Sequence, residues 1–191
     1  MPERKHKIIE AAKTSFSLYG YKGTTMDRIA KIAGVGKGTI YIFFENKEVL
    51  LNEIITGLVD EMNREADKAI LGKETIREKH HAAIYALLMY RKEHELLIKL
   101  AREENDIGTE AVKKALQELE TQIVDLISSR LTRAIKNGWI KECDPEITAF
   151  VMYKMYTALV YDWESKHSPL TDERISELFG LYLMDGLAVK K

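Results

Sequence analysis

Apolar residues recur every three to four positions along almost the whole chain, and no hairpin dipeptide sits between two alternating apolar runs. That period belongs to one face of an α-helix, so the chain reads as all-α. Breaks at Gly20, Gly34, after Phe44, at Gly72, after Lys92, and at Asn105–Gly108, Asn137-Gly138 and Ser168-Pro169 divide it into about nine helices without strands. The first is expected over Arg4–Tyr19, with Ile8, Ala12, Phe16 and Tyr19 on one face. Short helices at Met26–Ala33 and Lys37–Phe44 follow, capped by Thr24 or Thr25 at the start of the first. Asn46, Thr75, Thr109, Asp144-Pro145 and Thr171 or Asp172 open the longer helices. Ile76, Ala83, Leu87 and Tyr90 are expected to face inward, and the last helix to reach Gly186.

Composition narrows the class. With 191 residues, 46% of them hydrophobic, the chain can bury a core and is not disordered. Its single cysteine, Cys143, excludes an intrachain disulfide framework and a Cys cluster for zinc. The longest stretch without Asp, Glu, Lys or Arg is 11 residues, His80–Tyr90, against roughly 20 needed to span a bilayer. The charged N-terminus reaches no apolar signal-peptide core, so a cytoplasmic protein without a membrane partner is expected. The net charge of −1 hides an asymmetry. Residues 1–47 carry nine Lys/Arg against four Asp/Glu, a balance of +5, and the remainder carries −6. A short basic part on an acidic body points to a polyanionic partner.

The basic part holds the most informative segment. Two short helices joined at Gly34 form a helix-turn-helix: Ala30 permits a close crossing, and Ile29, Val35 and Ile40 fill the wedge, braced by Phe16 and Tyr19. In such a unit the start of the second helix lies against base edges in the major groove. Here that start is Gly36-Lys37-Gly38-Thr39, with Tyr41 one turn on. Lys37 suits a guanine edge or a phosphate, and the Thr39 and Tyr41 hydroxyls suit phosphate.

Gly20-Tyr21, Thr24-Thr25, Ile29-Ala30, Ala33-Gly34-Val35, Gly38-Thr39-Ile40-Tyr41, Phe44, Lys47 and Leu50, at this spacing, resemble the TetR family of bacterial transcriptional regulators. The resemblance implies a homodimer, with a DNA-binding domain over 1–47 and a ligand-binding and dimerisation domain over 48–191. It implies a repressor released from a palindromic double-stranded DNA operator by a small-molecule effector, with no catalysis and no cofactor. Carried over position by position, it makes Thr25, Lys37, Gly38, Thr39, Tyr41 and Lys47 DNA contacts. Gly36 replaces a frequent Ser, which costs only a few tenths of a kcal/mol of capping. Phe43 replaces a frequent His or Tyr, and either reads a thymine methyl or packs. Asp27 would repel phosphate and is not counted as a contact.

Other motifs read as ordinary structure. Gly36-Lys37-Gly38-Thr39 lacks the Gly-Lys-Ser/Thr order and the preceding strand of a phosphate loop. Glu78-Lys79-His80-His81 supplies one Glu-x-x-His where a di-iron bundle needs two, leaving solvated surface histidines; a metal-dependent helical enzyme is the remote rival. The zincin-like run from His94-Glu95 has Ile98 in place of its second His. Cys143 falls in a polar turn with nothing to support a redox role, and Arg102–Asp106 reads as a solvated helix end or a hinge.

The Met- and Tyr-rich stretch from Phe150 to Trp163 is expected to divide between a pocket and a subunit interface. Which face does which stays open. Met62, Tyr85, Met89, Met152, Met155, Tyr156 and Trp163 are the candidate pocket residues, suited to a bulky, largely apolar ligand such as an acyl chain, a dye-like drug or a steroid-like molecule. Leu178, Phe179, Leu181 and Tyr182 are the candidate interface. A DNA-binding protein with no effector is the nearer rival.

Overall fold

The computed structural model describes residues 2–93 and 95–185, without the side chains of residues 2, 92, 93 and 95. His94-Glu95 as a metal-binding pair and the helix end at Gly186 therefore lie outside the described residues or side chains. Among the described residues there are nine α-helices and no strand: α1 Pro2–Gly23, α2 Met26–Ala33, α3 Lys37–Phe43, α4 Lys47–Ala69, α5 Ile76–Glu93, α6 Glu95–Ile107, α7 Glu110–Lys136, α8 Pro145–Thr157 and α9 Asp172–Phe179. None is long and apolar enough to cross a membrane. Two compact units form, one from residues 1–60 and 91–119, the other from 61–90 and 120–191.

In the first unit α1 packs against α2 and α6. Ile8, Ala12 and Phe16 are fully buried, as their spacing requires. Tyr19 is not: the inward stripe of four-residue steps passes beyond it, and its exposed ring carries the Arg28 guanidinium at 4.4 Å. Tyr21 takes the inward place, 5.5 Å from the Phe16 ring. Gly20 allows this change of direction, with φ 72° and ψ 170°, a region closed to residues with a Cβ.

Helix starts follow their caps. Thr25 accepts the Arg28 N–H, Asn46 that of Val49, Asp144 those of Glu146 and Ile147, and Thr171 that of Arg174. Thr75 and Glu78 form a reciprocal capping box, so Glu78 has a structural task at the start of α5.

The second unit holds two apolar clusters, one of Ile84, Leu88, Val160, Ile175 and Phe179, the other of Leu131, Ala134, Ile140 and Ala149. On α5 the buried positions are Ile84, Leu88 and the expected Tyr90; the expected Ala83 and Leu87, one residue before the first two, are half-buried. Both α8 and α9 run on into a wider π-turn, Ala158–Asp162 and Gly180–Met184, closed by hydrogen bonds five residues apart such as Trp163 N–H to Ala158 O.

The surface reading holds for His81, which is exposed, but not for His80, which is half-buried. It continues the inward stripe of Ile84 and Leu88, lies 5.9 Å from the Phe179 ring, and has its Nε2 buried without a partner. Burial, with His81 and Arg77 nearby, pushes its pKa down to about 4. An unfolded His titrates near 6.5, so below that pH the unfolded chain takes up a proton the folded chain refuses. The His80 contribution is intact above pH 6.5 and is lost as pH falls toward 4. We expect about 2 kcal/mol of stability to go between pH 7 and pH 5 through this residue. His80→Leu should flatten the urea-midpoint profile in that window; parallel profiles for variant and parent would count against it.

Candidate nucleic-acid interface

The α2–turn–α3 unit is built as its sequence implies. Gly34 takes the left-handed conformation (φ 66°) and its N–H, with that of Val35, closes the end of α2. Ile29 and Ile40 are fully buried between the helices, and Phe44 closes the base of α3. What remains outward on α3 is Lys37, Gly38, Tyr41 and Ile42, with Thr39 half-buried. At Gly38 a Cβ would meet nothing within 4 Å, so this end of the helix is bare backbone.

The expected contact residues divide into three groups. Lys37, Gly38 and Tyr41 stand on the outward surface; Tyr41 is 45% exposed. Thr25 is exposed, but its hydroxyl is used as the α2 cap. Lys47 is turned inward: its ammonium donates to Tyr21 O at 2.6 Å and Thr24 O at 2.8 Å, and sits 4.0 Å from the Tyr21 ring centre. Burial lowers its pKa, partly offset by the Glu103 carboxylate. That ammonium ties α4 to the turn before α2. Phe43 is half-buried, which favours packing over an outward role. Lys37 donates to Asp27 at 2.9 Å, and this hydrogen bond raises its pKa.

Of the two readings of Arg102–Asp106, a solvated helix end or a hinge, the structure corrects the first at Glu103. It is 7% exposed, and its carboxylate accepts the N–H of Tyr21 at 2.6 Å, the N–H of Lys22 at 3.0 Å and the Thr109 hydroxyl at 3.1 Å. The signal was present in the sequence: Leu96, Leu100 and Glu103 follow the i, i+4, i+7 spacing of one helix face, and both leucines are buried. Thr24 is equally internal, donating to Gly20 O and lying 3.0 Å from the Ser15 hydroxyl.

The pocket residues are not drawn to one place. Met152 packs on the Leu131 cluster, whereas Met155 and Tyr156 pack on the Ile84 cluster. Met62 is half-buried, and Tyr85 and Met89 are partly exposed, Tyr85 stacking on His81. Trp163 stacks on His167 at 4.0 Å and donates its indole N–H to Ser168 O. Among the interface residues, Phe179 has to be withdrawn. It is 1% exposed within the single chain, enclosed by its own core, and offers nothing to a partner. Leu181 and Tyr182 are exposed, and Leu178 is half-buried. Cys143 is half-buried against the Leu131 cluster.

Residues 8–54 match the family described as bacterial regulatory proteins, tetR family, and residues 73–187 match the tetracyclin repressor-like C-terminal domain. The HTH-type transcriptional regulator YhgD of Bacillus subtilis is 50% identical over 186 residues, 97% of each chain. The fatty acid metabolism regulator protein of the same organism is 30% identical over 139 residues, 71% of this chain and 70% of its own. Among solved structures, a protein of Syntrophomonas wolfei described as a TetR-family transcriptional regulator superposes with a TM-score of 0.80 at 21% identity, covering 100% of this chain and 99% of its own. Two matched segments that together take in the helix-turn-helix and the helical body, with half identity to such a regulator along nearly the full length, settle the membership: the chain belongs to the TetR family and is a DNA-binding transcriptional regulator.

Proposed function

We propose that the protein is a cytoplasmic homodimeric repressor that leaves a palindromic operator when a small, largely apolar ligand binds the helical body. The observation that carries the DNA half is the outward surface of α3. Lys37, Gly38 and Tyr41 surround a helix start with no Cβ in the way, on the part of the chain whose balance is +5. Thr25 and Thr39 flank it as phosphate contacts, and Lys47 acts by holding α4 to the turn. Exposed Leu181 and Tyr182 support a subunit interface through the π-turn that continues α9, with Leu178 at the end of α9 itself.

For the ligand, Met155 and Tyr156 on the Ile84 cluster supply apolar and polarisable surface, while Met152 lies apart on the Leu131 cluster. Of the three ligand types, the relationship to a fatty acid metabolism regulator favours an acyl chain. Release then follows from a population shift: a ligand that binds better to a dimer whose recognition helices no longer match the groove spacing lowers operator affinity.

Selection of bound sequences from random duplex DNA tests this directly. The expected product is an inverted repeat with half-sites about 34–36 Å apart, or a related spacing. Long-chain acyl compounds should then raise the thermal midpoint of the free protein and release the selected duplex. Enrichment of no sequence, or of an asymmetric one, would remove the repressor reading. A library without any stabilising ligand would favour a DNA-binding protein without an effector.

A further inference from the structure

We infer that Ile42 is a specificity-determining residue that reads the 5-methyl group of a thymine in each half-site, a role resting on the placement of α3 in the major groove. Ile42 is 72% exposed, on a seven-residue helix whose inward side is filled by Ile40. It shares the outward surface with Lys37, Gly38 and Tyr41, so it belongs to the face that enters the groove. An isolated exposed aliphatic residue elsewhere on a protein needs no explanation, but here its surroundings select a partner.

Major-groove base edges present hydrogen-bond donors and acceptors and one apolar group, the thymine methyl. A side chain without donor or acceptor gains from a base edge only there. Against any other edge it would desolvate polar atoms and return nothing. Ile42 is also β-branched, so its χ1 is restricted and little rotamer freedom is lost when it is pressed against DNA. Phe43, the other apolar residue at this end of α3, is half-buried and leaves the contact to Ile42. Gly36 and Gly38, which carry no side chains, let the helix approach closely enough for a branched aliphatic group to reach the base edge.

Uracil differs from thymine by that methyl alone and keeps the same hydrogen-bonding edge, so it isolates the contact. With the duplex selected from random sequence, each thymine is replaced by deoxyuridine in turn, in both half-sites, and affinity is measured by gel-shift titration with the parent and with Ile42→Ala. Burying one methyl group corresponds to about fourfold in affinity, hence roughly sixteenfold for two half-sites. The parent should show that loss at one thymine position, and Ile42→Ala should show none there. Equal losses in parent and variant, or no loss at any thymine, would overturn the role of Ile42. Tyr41→Phe and Lys37→Ala separate this from failure of the larger reading. If both bind as the parent does, α3 is not the recognition helix; if they weaken binding while uracil is neutral, only the Ile42 assignment falls.

Discussion

Glu103→Ala is expected to lower the unfolding free energy of the protein by about 3–5 kcal/mol, far more than a charged residue on a solvated helix end would. The carboxylate is the acceptor for two backbone N–H groups just beyond Gly20 and for the Thr109 hydroxyl. Alanine strands the buried Tyr21 N–H, at about 1–3 kcal/mol, and takes the acceptor from the part-buried Lys22 N–H and Thr109 hydroxyl. It also removes the carboxylate whose field favours the charged form of the partly buried Lys47 ammonium. Glu103→Gln should fall between, because one acceptor oxygen survives and the amide nitrogen meets an N–H with another donor. Gly20→Ala attacks the same contact from the other side. Its Cβ would come within 2.6 Å of the Glu103 Oε2, on a backbone at φ 72° that excludes alanine. The double variant should be less unstable than the sum of the two, since removing the carboxylate relieves the clash. Urea titrations of the four proteins supply the cycle. An alanine at 103 within about 0.5 kcal/mol of the parent would sink this account.

That contact also shows where a periodic reading succeeds and where it stops. Helix type, helix order and the caps at Thr25, Asn46, Asp144 and Thr171 were legible because each rests on neighbouring residues. The helix-turn-helix was legible for the same reason, down to the φ of Gly34. Polarity misled at Glu103 and His80. Both lie on inward stripes, with Leu96 and Leu100 or with Ile84 and Leu88, yet their side-chain types suggested water. Their partners come from residues distant in sequence, Tyr21 and Lys22 for one and Phe179 for the other. Lys47 shows the same dependence on distant partners: its two carbonyl acceptors, on Tyr21 and Thr24, lie more than twenty residues away in sequence. The pocket residues were chosen by type, and type does not say which of two clusters a methionine joins.

Binding of the protein to its selected duplex should weaken steeply with salt. Each phosphate neutralised adds about 0.9 to the slope of log K against log salt, so six phosphates would cost roughly a thousandfold between 50 and 200 mM. The charge on which this depends is local, since the +5 of residues 1–47 is cancelled over the whole chain. Lys37 is the informative position. In the free protein its ammonium is held by Asp27 at 2.9 Å, an exposed pair, and such pairs contribute little. It can therefore transfer to DNA at small cost. If it goes to phosphate, Lys37→Ala should reduce the slope by about 0.9 for each half-site and weaken binding evenly across sequences. If it goes to a guanine edge, the slope should hold, affinity should fall by about 1–3 kcal/mol per contact, and preference at that base should relax. Gel-shift titrations at four salt concentrations, with the selected duplex and with one base changed, tell the two apart. A parent whose affinity stays flat across that range would mean that the basic N-terminal part does not meet the phosphate backbone.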